Sequence, residues 1–415
     1  MQRRPARGSF WNDGGAGSMR KTFRENDMSE DVRFNIMHFM PYIHLPPNHK
    51  EYKSLWVNFP NKFYDPKKAF VLYEQYLSEL ELADRLGFDA VVVNEHHNTS
   101  YSMMPAPNLI AANLVSRIKN ARICVWGTPP NLEFPNRLAE EYAMLDVLSK
   151  GRLEVAFPLG TGMEYWSNPV NPVTARERHR ESIDIIIKAW TSDGPTSYYG
   201  DFYTYRFLNI WPRPYQQPHP PCYIVGTGSP ETIELAAERG FGYSAVFVTR
   251  QRALELNNKL RERAAHFGNK IRPDQLPLGV LAYVAETEEQ ARAEFTEHLQ
   301  FFFEDALRTT PQFLAPPGYI SIEQLKARAA VGDKLHGSFD FKLLEESLFI
   351  AVGTAEKVAN QIGEWGRLMG TNHFNIQGCL GNMPHWKVVK NLSMIAEGVI
   401  PRLRHKPAAQ PMAAE

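Results

Sequence analysis

A single α/β barrel of eight parallel strands, each followed by a helix, is the fold this 415-residue sequence predicts. Two observations predict it. Short apolar runs alternate with amphipathic segments eight times along the chain. The runs are continuously apolar rather than alternating, as parallel strands covered on both faces require. A doubly wound open sheet is the runner-up.

The elements follow in order. "RFNIMHFM" (33–40) reads as the first strand, and the segment 66–87 as a helix closed by Gly87, a good residue just past a helix end. "FDAVVVN" (88–94) is the second strand and 107–120 its helix. "ARICVWG" (121–127) is the third, followed by the helix 136–151. "RLEVAFPLG" (152–160) is the fourth, with the helix 175–190. Turn and aromatic residues then suggest a small hairpin inserted before the fifth strand, "CYIVGTG" (222–228). "GYSAVFV" (242–248) and "LPLGVLAYVA" (276–285) are the sixth and seventh strands. A long irregular stretch, 308–348, reads as a lid-like insertion. The helix 352–370, the eighth strand "TNHFNIQG" (371–378) and a last helix, 385–403, complete one domain over 31–405. Residues 1–30 are basic, Gly-rich and aperiodic, and read as a disordered arm. The end, 406–415, reads as a loose tail.

Composition narrows the function. Lys+Arg and Asp+Glu balance at 46 each, so no overall field draws the chain to nucleic acid or to an anionic membrane. No apolar run approaches the roughly 18 residues of a membrane span. Residues 1–30 lack the apolar core of a signal peptide. Cys124, Cys222 and Cys379 lie in or beside apolar runs without a CxxC pairing, which suits buried reduced thiols and a cytoplasmic location.

In a barrel, the residues just after each strand converge on one mouth. Three stretches there carry chemistry. "EHH", Glu95–His97, follows the second strand. Adjacent histidines in a loop do not share a face as i, i+4 zinc ligands do, and no second His/Asp/Glu cluster follows another strand, so a metal is not expected. Histidine titrates near neutrality and suits acid/base work, although solvated or structural roles remain open. "VGTGSPET" ends a strand and opens a helix near Pro230, where free backbone N–H groups can hold a phosphate; Ser229 reads equally well as a plain helix cap. "PLGTGME" is a second Gly-rich loop. "GTPP", 127–130, stiffens the end of the third strand or simply stops it. Phe39, Met40, Tyr101, Met103, Met104, Tyr165 and Trp166 are the apolar candidates for a pocket wall, or for packing under the lid.

The stretches "GFDAVVVNEHHNTSYSMMPAPNLIAANL", "ICVWGTPP", "FPNRLAEEYAMLDVLSKGRLEVAF", "YIVGTGSPETIELAAERG" and "GTAEKVANQIGEW" together resemble the bacterial luciferase-like flavin-dependent monooxygenases, in order and spacing, from about 33 to 404. The resemblance implies a (β/α)₈ barrel that takes reduced FMN (FMNH2) from a separate flavin reductase. It implies reaction with O₂ through a C4a-peroxyflavin to oxygenate a small, apolar organic substrate. On this resemblance His96 is the catalytic residue, Glu95 lines the flavin site and His97 stands behind it. Thr128 and Pro129 belong to the segment packed behind the flavin ring, which in relatives often contains a non-prolyl cis peptide bond. Here Pro129–Pro130 or Thr128–Pro129 is the expected cis bond, because cis is cheapest before proline. Gly162, Thr227, Gly228 and Ser229 are expected at the phosphate. Many relatives place an arginine after the fourth strand, where this chain has Leu159 or Thr161; Arg176, Arg178 or Arg180 is the substitute. Phe39, Met40, Met103, Met104 and Tyr165 are expected at the substrate. The alternatives are an F420-dependent hydride-transfer enzyme and a catalytically silent flavin-binding protein. Relatives are often homodimers through the helices after the second and third strands.

Overall fold

The computed structural model describes residues 32–320 and 339–404. Eleven strands are formed among them. In chain order they are β1 (Arg33–His38), β2 (Ala90–Val93), β3 (Arg122–Trp126), β4 (Leu153–Pro158), β5 (Thr196–Tyr199), β6 (Thr204–Leu208), β7 (Cys222–Gly226), β8 (Gly242–Ala245), β9 (Leu278–Val284), β10 (Ile350–Gly353) and β11 (His373–Cys379). Nine form one sheet in the order β10-β9-β11-β1-β2-β3-β4-β7-β8, with every pairing parallel. The last strand β11 hydrogen-bonds to the first, so the sheet curls back on itself in barrel order. At the β8–β9 junction the contact is a side chain's, Ser244 Oγ donating to Pro277 O at 3.0 Å.

Side chains alternate between the two faces of the strands as a barrel demands. Ala90, Val92, Cys124, Trp126, Ala156 and Tyr223 form a small inner cluster with Met37 and Val225. Their neighbours Val91, Val93, Ile123, Val125, Val155, Phe157 and Ile224 join the large cluster between strands and helices. Both faces are apolar, which is why the sequence shows unbroken apolar runs. The helices that matter below are α1 (Pro66–Arg85), α2 (Pro107–Arg117), α3 (Pro135–Leu148), α4 (Ala175–Thr191) and α5 (Pro230–Arg239).

The β5–β6 hairpin forms where the turn residues place it, antiparallel and outside the main sheet. Three expectations need correction. The sixth strand of the sequence reading stops at Ala245, not 248, where Phe247 enters the left-handed region at φ +52° and Thr249 already caps the helix Arg250–His266. β10 was not foreseen: "IAVG" is four residues long and pairs only with the top of β9. The insertion 308–348 is not wholly irregular, since it contains a turn of helix, Pro311–Leu314, and the helix Phe341–Ser347, capped by Asp340. Its middle, 321–338, and the arm 1–30 and tail 406–415 lie outside the described residues. No described helix is long and apolar enough to cross a membrane.

One loop shows how the strand ends opposite the mouth are fixed. Asp84, in the last turn of α1, accepts the backbone N–H groups of Lys119, Asn120 and Ala121 at 2.6–2.9 Å and so sets the approach to β3. Burial opposes its charge, but these three donors outweigh it and hold its pKa below the usual carboxylate value. Asp84→Ala leaves three donors short of an acceptor and is expected to cost about 1–3 kcal/mol, read from urea unfolding at pH 7. The loss should shrink as the pH falls below about 4, where the unfolded-state carboxyl protonates and the native advantage of the charge disappears.

Candidate active site

The loop after β2 is pinned to the short turn after β4. His96 Nδ1 lies 2.9 Å from Glu164 Oε1. A carboxylate only accepts, so Nδ1 carries the proton and Nε2 is left with the lone pair. The other Glu164 oxygen accepts from Thr161 N at 2.6 Å and from the Thr161 hydroxyl. Glu164 is buried while the His96 side chain keeps 17% exposure, so the carboxylate is anchored below and the imidazole reaches the open side. Two aromatic rings frame that imidazole edge-on, Trp56 at 5.2 Å and Tyr101 at 5.0 Å. Trp56 is itself fixed by Nε1 donating to Ala306 O at 2.8 Å.

Glu95 and His97 form a second pair, Oε1 to Nε2 at 3.0 Å. Burial pushes the Glu95 pKa up, only partly offset by His97 and Thr128. Burial also works against charge on His97, but Glu95, with Glu164 and Glu133 behind it, holds its pKa above the ordinary imidazole value. The Thr128 hydroxyl faces Glu95 and Tyr142 without completing a hydrogen bond to either. The buried Asn94 Oδ1 and Tyr101 hydroxyl are also unpartnered.

The expected cis bond is corrected. Thr128–Pro129 and Pro129–Pro130 are trans, and the cis peptide is Trp126–Gly127, not before a proline. Weighing bonds by the intrinsic cost of cis favoured proline. A Cβ at residue 127 would collide with the Ala156 carbonyl of β4, so only glycine fits there.

The substrate candidates fall into two groups. Phe39, Met40, Met103 and Met104 gather beside His96. Met103 N donates to Met40 O at 2.8 Å, Phe39 lies 5.0 Å from Tyr101, and His96 N reaches Met104 O at 3.4 Å. Tyr165 stands apart, with its hydroxyl bonded to Leu159 O and Asn131 Nδ2 and its ring against Tyr319. All five are at most 7% exposed, so they form a closed floor rather than an open wall.

The phosphate candidates are also divided. Thr227, Gly228 and Ser229 lead into α5, where Ser229 Oγ caps Thr232 N and contacts Thr232 Oγ1 at 3.2 Å. Gly162 is covered: a Cβ there would meet the Leu314 carbonyl. Among the described residues, no hydrogen bond or ring contact joins Thr227–Ser229 to the His96 cluster. Of the three arginine substitutes, Arg178 donates to Asn131 O and stacks on Tyr203, and Arg180 pairs with Glu238, in the last turn of α5. Arg176 alone lies at the start of α5, with Nε 3.7 Å from Glu231.

A family model described as luciferase-like monooxygenase matches residues 73–372. The chain belongs to the luciferase-like monooxygenase family. The oxygenase component of flavin-dependent trigonelline monooxygenase from Acinetobacter baylyi is 28% identical over 243 residues, 56% of this chain and 64% of that protein. The chain thus spans a little under two thirds of that relative's length. Among solved structures, the oxygenating constituent of 3,6-diketocamphane monooxygenase of Pseudomonas putida, in complex with FMN, superposes with a TM-score of 0.68 at 18% identity, covering 89% of this chain and 98% of that one. An F420-dependent secondary alcohol dehydrogenase superposes at 0.62 and 19% identity, covering 90% and 99%. These last two likenesses speak for the fold alone. Glu164, Trp56 and Thr232 were not singled out in the sequence: Glu164 closes "PLGTGME" and Thr232 closes "VGTGSPET", but both loops were read for their glycines, and Trp56 is placed by a long-range bond to Ala306.

Proposed function

We propose that this chain is the oxygenase component of a two-component monooxygenase, using reduced FMN from a flavin reductase and O₂ to oxygenate a small apolar substrate. The His96–Glu164 pair, framed by Trp56 and Tyr101 at the mouth of a luciferase-like fold, carries the reading. The residues suit a flavin. A flat ring with carbonyl and N–H groups on one edge needs apolar walls and a few unpaired polar atoms. Phe39, Trp126 and Tyr101 offer the walls, while Asn94, Tyr101 and Thr128 offer the buried polar atoms. When bound, a reduced flavin supplies the electrons that activate O₂. His96 does the protein's part: Glu164 fixes Nδ1–H, so Nε2 gives or takes the proton at the reacting centre. The aromatic frame keeps water from the same point.

Ser229, Thr232, the N-terminus of α5 and Arg176 are proposed to hold the phosphate, as the helix dipole and a nearby guanidinium favour. The same reading includes a homodimer through α2 and α3, which leave Leu109, Met144 and Leu148 exposed.

Anaerobic titration tests the proposal. Reduced FMN should bind, and Ser229→Ala or Arg176→Ala should weaken it about tenfold while leaving reduced riboflavin, which has no phosphate, unaffected. Admitting isotopically labelled O₂ with a panel of apolar ketones and terpenes should give labelled product. Binding of reduced F420 but not of reduced FMN would overturn the oxygenase reading.

A further inference from the structure

Three ionisable side chains outside the His96 cluster stand in a line that the proposed chemistry does not use. His38, the last residue of β1, and Glu79, midway along α1, are both fully buried, with Nε2 and Oε2 2.8 Å apart. The other oxygen, Oε1, lies 2.8 Å from Nδ1 of His385, at the start of the helix His385–Met394. On the opposite side of the His38 ring, the Met40 N–H donates to Nδ1 at 2.9 Å. Tyr76 packs against the same ring at 4.6 Å and donates its hydroxyl to Pro41 O at 2.7 Å.

Chemistry assigns the protons. A backbone N–H only donates, so His38 Nδ1 carries the lone pair and Nε2 carries the proton. Nε2–H therefore points at Glu79, whose second oxygen takes the N–H of His385. The carboxylate is satisfied by one histidine on each oxygen, as a buried charge requires. His38, Glu79 and Cys379 also offer one metal-ligand atom each, all within 4.8 Å. A metal on Nε2 would push the proton onto Nδ1, donor against donor with the Met40 N–H, so the hydrogen-bonded line fits these positions better.

The line ends at an unusual piece of backbone. Met40 has φ +49°, the left-handed region that non-glycine residues seldom enter. It is held at both ends, its N–H by His38 and its carbonyl by the Met103 N–H at 2.8 Å. This bend sets Phe39 against Tyr101, and Tyr101 is one of the two rings that frame His96.

We propose that His38, Glu79 and His385 are positioning residues that fix the Phe39–Met40 bend, and with it the floor of the substrate pocket beside His96. The inference rests on the reading that Phe39 and Met40 line that pocket, and it can be tested apart from it. Methionine-methyl and histidine-nitrogen NMR of the full chain is the measurement. His38 should appear as the Nε2–H tautomer at neutral pH. His38→Leu should shift the Met40 and Met103 methyl signals while leaving the exposed Met144 in place. Glu79→Gln should keep the wild-type positions, because its amide oxygen still accepts from His38 and its NH₂ can donate to a neutral His385. Unmoved Met40 and Met103 signals in His38→Leu would overturn the proposal. So would a His38 Nδ1–H tautomer in the wild type, a readout that survives even if the leucine variant does not fold. So would stoichiometric zinc lost on Cys379→Ser. Reduced FMN separates the two readings: a wild type that fails to bind it sinks the pocket assignment, while shifted Met40 signals still uphold the positioning.

Discussion

Replacing His96 with alanine is expected to cut product formation about 10²-fold or more, while reduced-FMN affinity stays within about threefold of the wild type. The reason is where the imidazole sits. Its Nδ1 is spoken for by Glu164, its two faces of approach are framed by Trp56 and Tyr101, and the side chain remains partly open. It is poised to move a proton rather than to support the barrel. Glu164→Gln keeps an oxygen toward Nδ1 but removes the charge that steadies an imidazolium, so a loss of about tenfold is expected. Glu164 acts through His96, and the double variant His96→Ala/Glu164→Gln should therefore be no slower than His96→Ala alone. Single-turnover product formation after mixing with O₂ measures all three. If the two losses multiply, Glu164 has a separate role; if His96→Ala turns over normally, the acid/base assignment is wrong.

What the sequence made legible and what it hid divides along contact distance. Strands covered on both faces are apolar at most positions, so β1 to β4 and their order could be read directly. The Glu95–His97 loop could be placed at the mouth because it directly follows β2. Glu164 could not be paired with His96: it closes the "PLGTGME" loop, read for its glycines, and lies 68 residues away. The His38–Glu79–His385 line was hidden more deeply. His38 reads as an ordinary strand residue and Glu79 as a polar position of an amphipathic helix, and only the packing of α1 against β1 and the last helix brings them together. The cis bond was misplaced because local cost pointed to proline, whereas the bond found is Trp126–Gly127. Thr227–Ser229 kept both of its meanings, because a helix cap and a phosphate cradle use the same residues.

Glu154→Ala is expected to be among the most destabilising single changes in the chain, at about 3–5 kcal/mol. Glu154 is buried on β4, and one of its oxygens faces both Arg33 Nη2 at 2.9 Å and Arg122 Nε at 2.5 Å, from the first residues of β1 and β3. Its other oxygen accepts from the Cys124 thiol at 3.5 Å. Alanine would leave two partly covered guanidiniums facing each other across an emptied site. Burial alone would raise the Glu154 pKa, but Arg33 and Arg122 outweigh it and hold it below the ordinary value. A depressed carboxylate stabilises above its unfolded pKa of about 4.3 and loses that contribution as the pH falls through the native value. His373, close by and hydrogen-bonded to Asn35 at 2.7 Å, is held neutral by burial, with its pKa pushed down to about 4. Its contribution is lost first on acidification, from about pH 6.5 downward. The wild type should therefore weaken in two stages, the first set by His373 and the second by Glu154 together with Asp84, and Glu154→Ala should show a smaller second stage. Urea midpoints followed by tryptophan fluorescence at neutral and acid pH separate the two. A loss below about 1 kcal/mol at pH 7 would mean that the arginines are solvated well enough to do without their partner. Because these residues sit at the strand starts, opposite the mouth, the folded variant should still bind reduced FMN as the wild type does; weakened binding would show that the two ends of the barrel are coupled.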